Sequence, residues 1–264
     1  MSSLPLVEYL TQHYPDACGF DSFMISGAAA SGDIDFVKLL ASKGYKYEMA
    51  SRACAYAARM GHLEMLKHLR SRQGLEWGWD CWKYAGAKNN NFAVLEYLLA
   101  EGCRPNKYAW DFAAQFGVMD ALLFFKQHSF PGSSDAFPLA AKGGQMEALQ
   151  LLHDWGWHRD QNGNEATWFG DNACDLAAWF GHLDALVWLV EKGLTVSSKT
   201  WELSAKRRNN YAMMEYLLAN HLVSKDKRTI NKIISNSRCT GSTTWTKWVK
   251  GMLVAPKASR CVIQ

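Results

Sequence analysis

Apolar residues recur behind a turn residue with a spacing of three, and this pattern returns seven times along the chain. Each time a pair of small residues comes first, then two variable positions, then a glycine or asparagine, then the apolar run. The turn residues are Gly32, Gly61, Asn90, Gly117, Gly144, Gly181 and Asn209, separated by 29, 29, 27, 27, 37 and 28 positions. Behind them stand Ile34, Val37, Leu40; Leu63, Leu66, Leu69; Phe92, Leu95, Leu98; Met119, Leu122, Phe125; Met146, Leu149, Leu152; Leu183, Leu186, Leu189; and Tyr211, Met214, Leu217. That spacing puts each triplet on one face of a helix. The small pairs read Ala28-Ala29, Ala57-Ala58, Gly86-Ala87, Ala113-Ala114, Ala140-Ala141, Ala177-Ala178 and Ala205-Lys206. Small side chains let a neighbouring helix come close, and the glycine ends the first helix in a left-handed conformation. Every unit therefore predicts helix, tight turn, helix. One such pair is too small to bury its own stripe, so the units must stack.

The segments 57-AARMGHLEMLKHL-69 and 177-AAWFGHLDALVWL-189 resemble the ankyrin repeat, and the resemblance extends over roughly residues 4 to 222 because the phrase recurs. The threonine-proline-leucine-histidine opening of that family is missing, and the periods fall short of its usual length of about 33. The chain is thus similar to the shorter, tryptophan-rich variety. This implies an all-α, ankyrin-like helix-turn-helix solenoid with short or absent β-hairpin fingers. Leu4, Val7 and Leu10 match a second helix whose first helix is lacking, so residues 1–20 read as an N-terminal half repeat or cap. Residues 21–224 then hold seven repeats, and 225–264 a basic cap helix and tail. The stretch 88-KNNNFAVLEYLLAEG-102 parallels 206-KRRNNYAMMEYLLAN-220, and Gly-His-Leu occurs at both 61 and 181. A duplicated block of four repeats explains both.

The resemblance also implies where a partner binds. First helices of ankyrin-like stacks line a concave face, with the residues just before the turn carrying recognition. Here these include Arg59, Met60, Lys88, Gln115, Phe116, Trp179, Phe180, Arg207 and Arg208. Aromatic and arginine side chains of this kind dominate protein interfaces. The competing reading is that the rings fold over the neighbouring repeat and pack. The 37-residue interval marks an insertion over 155–172, with Trp155, Trp157 and Trp168. It reads either as the linker of a displaced repeat, its tryptophans capping the core, or as a binding loop.

Charge changes the picture only at the end of the chain. The net charge is +4, yet residues 225–264 set nine basic residues against Asp226 alone, which leaves the body at −4. Residues 226-DKRTINKIISN-236 predict a short cap helix with Ile230, Ile233 and Ile234 on the last repeat, reaching about residue 238 and followed by a mobile linker through Gly241-Ser-Thr-Thr. Cys261-Val262-Ile263-Gln264 reads as a C-a-a-X box, and a basic segment supplies the second signal that one lipid chain needs. Trp245, Trp248, Met252 and Leu253 would then touch the membrane interface. A membrane-tethered adaptor is therefore the alternative reading.

No run of about 18 apolar residues and no signal peptide is present, so a cytoplasmic location is expected. Seven cysteines without a CxxC pair read as reduced thiols. His153, His158, Asp154 and Asp160 match no zinc spacing, and no metal or other cofactor is expected. His62 and His182 recur at the turn, where hydrogen bonds to neighbouring backbone explain them. No phosphate loop, nucleophile elbow or Cys/His pair points to an enzyme, and no aromatic-basic groove motif points to nucleic acid. The expected function is a non-catalytic scaffold or adaptor for a protein partner, as a monomer or a subunit of a hetero-complex.

Overall fold

The computed structural model describes residues 21–42, 50–73, 77, 80–87, 91–160, 162–168, 170–222 and 227–254. The half repeat expected at 1–20, Lys88 and the C-a-a-X end lie outside the described residues. The chain divides into two compact units, Met1–Ser133 and Ser134–Gln264. In the first unit the described helices are α1 (Asp21–Ser31), α2 (Ile34–Ser42), α3 (Ala50–Met60), α4 (Leu63–Gln73), α5 (Asp80–Ala85), α6 (Phe92–Ala100), α7 (Lys107–Phe116) and α8 (Met119–Gln127). The second unit holds α9 (Ala136–Gly143), α10 (Met146–Asp154), the strands β1 (Thr167–Trp168) and β2 (Asp171–Asn172), then α11 (Ala173–Phe180), α12 (Leu183–Glu191), α13 (Ser198–Lys206), α14 (Tyr211–Ala219), α15 (Lys227–Arg238) and α16 (Thr243–Val254). Within each unit the first helices pack side by side, α1 to α3 to α5 to α7 and α9 to α11 to α13 to α15, and each carries its own second helix. The fold is an all-α, ankyrin-like stack of helix pairs.

The turns form as their residues dictate. Gly117 takes φ 66°, its N–H bonds Ala114 O at 3.2 Å and the next N–H bonds Ala113 O at 2.8 Å, the two bonds of a Schellman motif. The second helices close likewise at Gly102, Gly156 and Gly193, and at Ser129 and His221 without a glycine. One further contact fixes the turn glycines Gly32 and Gly144. The imidazole of the next repeat lies against them, so that a Cβ on Gly32 would sit 2.7 Å from His62 Nδ1 and one on Gly144 closer still to His182 Nδ1. Gly144→Ala should therefore destabilise the chain by about 2 kcal/mol or more in urea melts, through left-handed strain and displacement of His182. Gly156→Ala, with φ 79° and nothing within 4 Å, carries the strain alone and should cost about 1 kcal/mol.

The core is built at one repeated position, three residues before the small pair. Ile25, Cys54, Trp82, Trp110, Phe137, Cys174, Trp201 and Ile233 occupy it, and none is more than 2% exposed. Two of these tryptophans also lock their own repeat. Trp82 Nε1 donates to Cys103 O at 3.0 Å and Trp201 Nε1 to Leu222 O at 2.9 Å, each reaching the loop behind the second helix. Of each apolar triplet the second and third members are buried and the first stands at the rim, where Phe92 is 43% exposed. Buried Cys54 and Cys103 are free, and burial pushes their thiols up to about 11 and about 12. Cys174 is free and raised for the same reason, so these thiols stay protonated and unreactive.

Three expectations are corrected. First, an eighth helix pair follows the seventh. Gly241, with φ 67°, is its turn, and α15 packs on both α13 and α16. The segment beyond 241 is thus helix rather than mobile linker. Trp245 is fully buried, donating Nε1 to Ala205 O at 3.0 Å and packing edge-on against Tyr211 at 5.0 Å, so it is not free for a membrane interface. Ile233 does bury on the stack, as a cap helix requires. Second, ahead of the two asparagines the buried small pair lies one residue earlier than expected. The small pairs there are Ala85-Gly86 and Ser204-Ala205, all buried, while Lys206 is exposed. Third, the insertion is not a plain linker. It folds as an Arg159–Glu165 bridge followed by the β1–β2 hairpin around Gly170. Its tryptophans are half-buried.

The two units share a pattern of hydrogen bonds between repeats. His62 Nε2 meets Ala30 O at 3.1 Å and His182 Nε2 meets Lys142 O at 3.0 Å, each tying its repeat to the one before. In the following repeat an asparagine does the same: Asn91 Nδ2 donates to Ala58 O and Ala85 O, and Asn210 Nδ2 to Ala178 O and Ser204 O. The turn-bond reading of both histidines holds. Burial lowers the His182 pKa, the Lys142 carbonyl raises it and Arg207 lowers it, with a net fall below 6.5. As pH drops through 6.5 the unfolded chain takes up the proton first, so stability present above that pH is lost below it. Melting temperature should fall between about pH 7.5 and 5.5, less steeply in His182→Asn, whose amide copies the bond of Asn210.

Candidate protein-binding faces

The pre-turn residues sit at the C-terminal ends of the first helices, where the helix has one face left after its neighbours on both sides and its own partner are packed. In the first unit Arg59 and Met60 end α3, and Gln115 and Phe116 end α7. Arg59 is exposed, Met60 44% and Phe116 48% exposed, and Gln115 is half-buried. The rings therefore do not fold away into the core.

Sequence reasoning missed what lies beside them. Tyr56, Tyr84 and Phe112 occupy one position, just before the small pair, on α3, α5 and α7. Tyr56 stacks on Tyr84 at 6.0 Å, Tyr84 meets Phe112 edge-on at 6.2 Å, and Phe112 touches Phe116 at 5.8 Å. Arg59 lies over Tyr84 at 5.8 Å, and Lys83 over Phe112 at 4.5 Å. In the second unit the same position holds Leu139, Leu176 and Leu203, all buried. Leucine fits beneath the neighbouring helix and the larger rings protrude, so a comparison of the two blocks at this position was the available signal.

The second unit brings together residues that the sequence assigned to separate sites. Trp179 and Phe180 end α11, 5.7 Å apart, with Trp179 40% exposed. The β1–β2 hairpin places Trp168 beside α9, and the Lys142 ammonium lies over Trp168 at 4.1 Å and over Phe180 at 5.3 Å. Burial lowers the Lys142 pKa. Arg207 and Arg208, both exposed, follow α13, and Arg207 lies across Gly181, where a Cβ would be 2.5 Å from its Nε. Trp155 and Trp157 instead pair with each other at 5.9 Å in the turn after α10.

The hairpin is held by polar ties. Glu165 Oε1 accepts from Thr195 N at 2.8 Å and from Thr195 Oγ1 at 2.6 Å, and Asn172 Nδ2 donates to Thr195 O at 3.0 Å. Lys199 pairs with Asp171 and donates to Gly170 O at 3.0 Å. Asp175 is buried, and its Oδ1 accepts from Thr200 Oγ1 at 2.6 Å and Ser197 Oγ at 3.2 Å, joining the caps of α11 and α13. Burial nonetheless raises its pKa.

His153 and His158 stack at 4.4 Å, with Phe137 beside both and Trp188 edge-on to His153. Asp160 accepts from the backbone of Asn162 and Asn164 within its own turn. Among the described residues no three His, Cys, Asp or Glu side chains converge as metal ligands. Also among them, no helix is long and apolar enough to cross a membrane.

Residues 137–190, from α9 through α12, match a family model described as ankyrin repeats, many copies. No curated protein matches the chain. The chain is a helical repeat protein, and its residues 137–190 are similar to ankyrin repeats, which generally mediate protein–protein interaction and are typically non-enzymatic.

Proposed function

We propose that the chain is a non-catalytic scaffold or adaptor that binds a protein partner through the pre-turn ends of its first helices. One observation carries this: the large apolar side chains Met60, Phe116 and Trp179, each at one of the two positions just before a turn glycine, are all exposed by 40% or more, with Arg59 beside Met60 and Arg207 across Gly181. Scattered surface apolar side chains need no explanation, but large ones gathered at the pre-turn ends of several first helices have the composition of an interface anchor. The helices presenting them are fixed by packing on both sides, so binding orders little backbone. The test is affinity capture from the native cell with the wild-type chain and a Phe116→Ala/Trp179→Ala/Arg207→Ala variant. Loss of specific partners with unchanged helix content and melting supports the reading, and an unchanged partner set contradicts it.

A further inference from the structure

We propose that Lys142 receives a carboxylate of an acidic segment of the partner, with an apolar side chain beside that carboxylate seated on Trp179. This rests on the binding-face reading and names the partner's chemistry. The Lys142 ammonium is half-buried, and the contacts that hold it are the faces of Trp168 and Phe180. Its depressed pKa has burial as its cause, with no acid offsetting it. The carboxylates on and beside the hairpin pair with other groups: Asp171 with Lys199, Glu165 with Thr195, Asp175 with Thr200. An ammonium partly shielded from water and held by ring faces has donors left for an anion.

The surroundings fit one. Lys206, Arg207 and Arg208 continue the positive charge at the end of α13, all three exposed. Among the described residues none of them is in an ion pair, whereas Lys199 at the start of the same helix is. Trp179 and Phe180 lie between the two cationic ends. A carboxylate-bearing peptide is favoured over a nucleic acid because Lys142 already covers Trp168 and Phe180, leaving Trp179 as the exposed ring rather than a run of stacking platforms.

The experiment is a selection of random displayed peptides on the full chain, in parallel with Lys142→Met, Lys142→Arg and Trp179→Ala. Wild type and Lys142→Arg should enrich peptides with Asp or Glu next to an apolar residue, and Lys142→Met should lose the acidic preference. A selected peptide should bind about tenfold more weakly when its acid is replaced by the amide, and more weakly in roughly 500 than 50 mM salt. The amide comparison uses the wild-type chain, so it decides the matter even if Lys142→Met does not fold. Peptides that require Trp179 but show no preference for acid over amide would overturn this inference and leave the binding face standing. Enrichment indifferent to Trp179 would overturn both. Displacement of the peptides by oligothymidylate, with the oligonucleotide bound more tightly, would assign the cations to phosphate instead and also overturn it.

Discussion

Trp201→Ala should cost about 4 kcal/mol of unfolding free energy, most of the stability of an ordinary domain. The indole is fully buried in the second unit, at the position where each repeat turns a buried side chain into the core. Its Nε1 hydrogen bond to Leu222 O closes the loop behind α14, so truncation opens a cavity and leaves a carbonyl without its donor. Because repeats are stabilised by their neighbours, the loss should spread to the helix pairs on either side rather than remain local. Urea denaturation followed by far-UV circular dichroism measures it. A loss below about 1 kcal/mol would mean that the inner position does not organise the core.

The opposite behaviour is expected 22 residues upstream in sequence, at Trp179. Trp179→Ala should weaken partner binding about 30-fold, the scale of an interface anchor, while changing stability by less than about 0.5 kcal/mol. The ring is 40% exposed and stands at the end of α11, where it touches Phe180 but closes no core. Two tryptophans of one unit are thus separated by function: one holds the stack together, the other faces outward from it. Titration calorimetry with the captured partner, alongside thermal melts, distinguishes them.

The repeat was legible because its physics is local. A glycine is needed wherever the backbone turns left-handed beneath a neighbour's histidine, and small residues wherever first helices touch, so both leave marks at fixed spacing. The eighth pair escaped because it meets the same demands with other residues. Ser237 takes the small position, and behind Gly241 the buried residues are Trp245 and Val249, which do not continue the leucine stripe. Basic residues on the outer face of α15 and α16 completed the disguise. The one-residue slip at the asparagine turns has a similar origin: Asn209 reaches φ 61° without being glycine, and the longer loop cannot be placed from spacing alone.

For the candidate faces the sequence found the exposed ends of the helices but not what lies beside them. Tyr56, Tyr84 and Phe112 look like core residues at helical spacing, and only their half-buried state sets them apart from the leucines of the second unit. Lys142 stands at a pre-turn position, but nothing local shows that the insertion brings Trp168 against its ammonium. Contacts between segments distant in sequence carry no local signature, which is why the insertion and the pre-turn residues were read as separate sites.

The most direct test of the binding face is amide hydrogen exchange of the full chain with and without its captured partner. The account predicts new protection at the ends of the first helices, around residues 58–60, 113–116, 178–180 and 205–208, with the second helices unchanged. Protection confined to the second helices, or to α15 and α16, would contradict it.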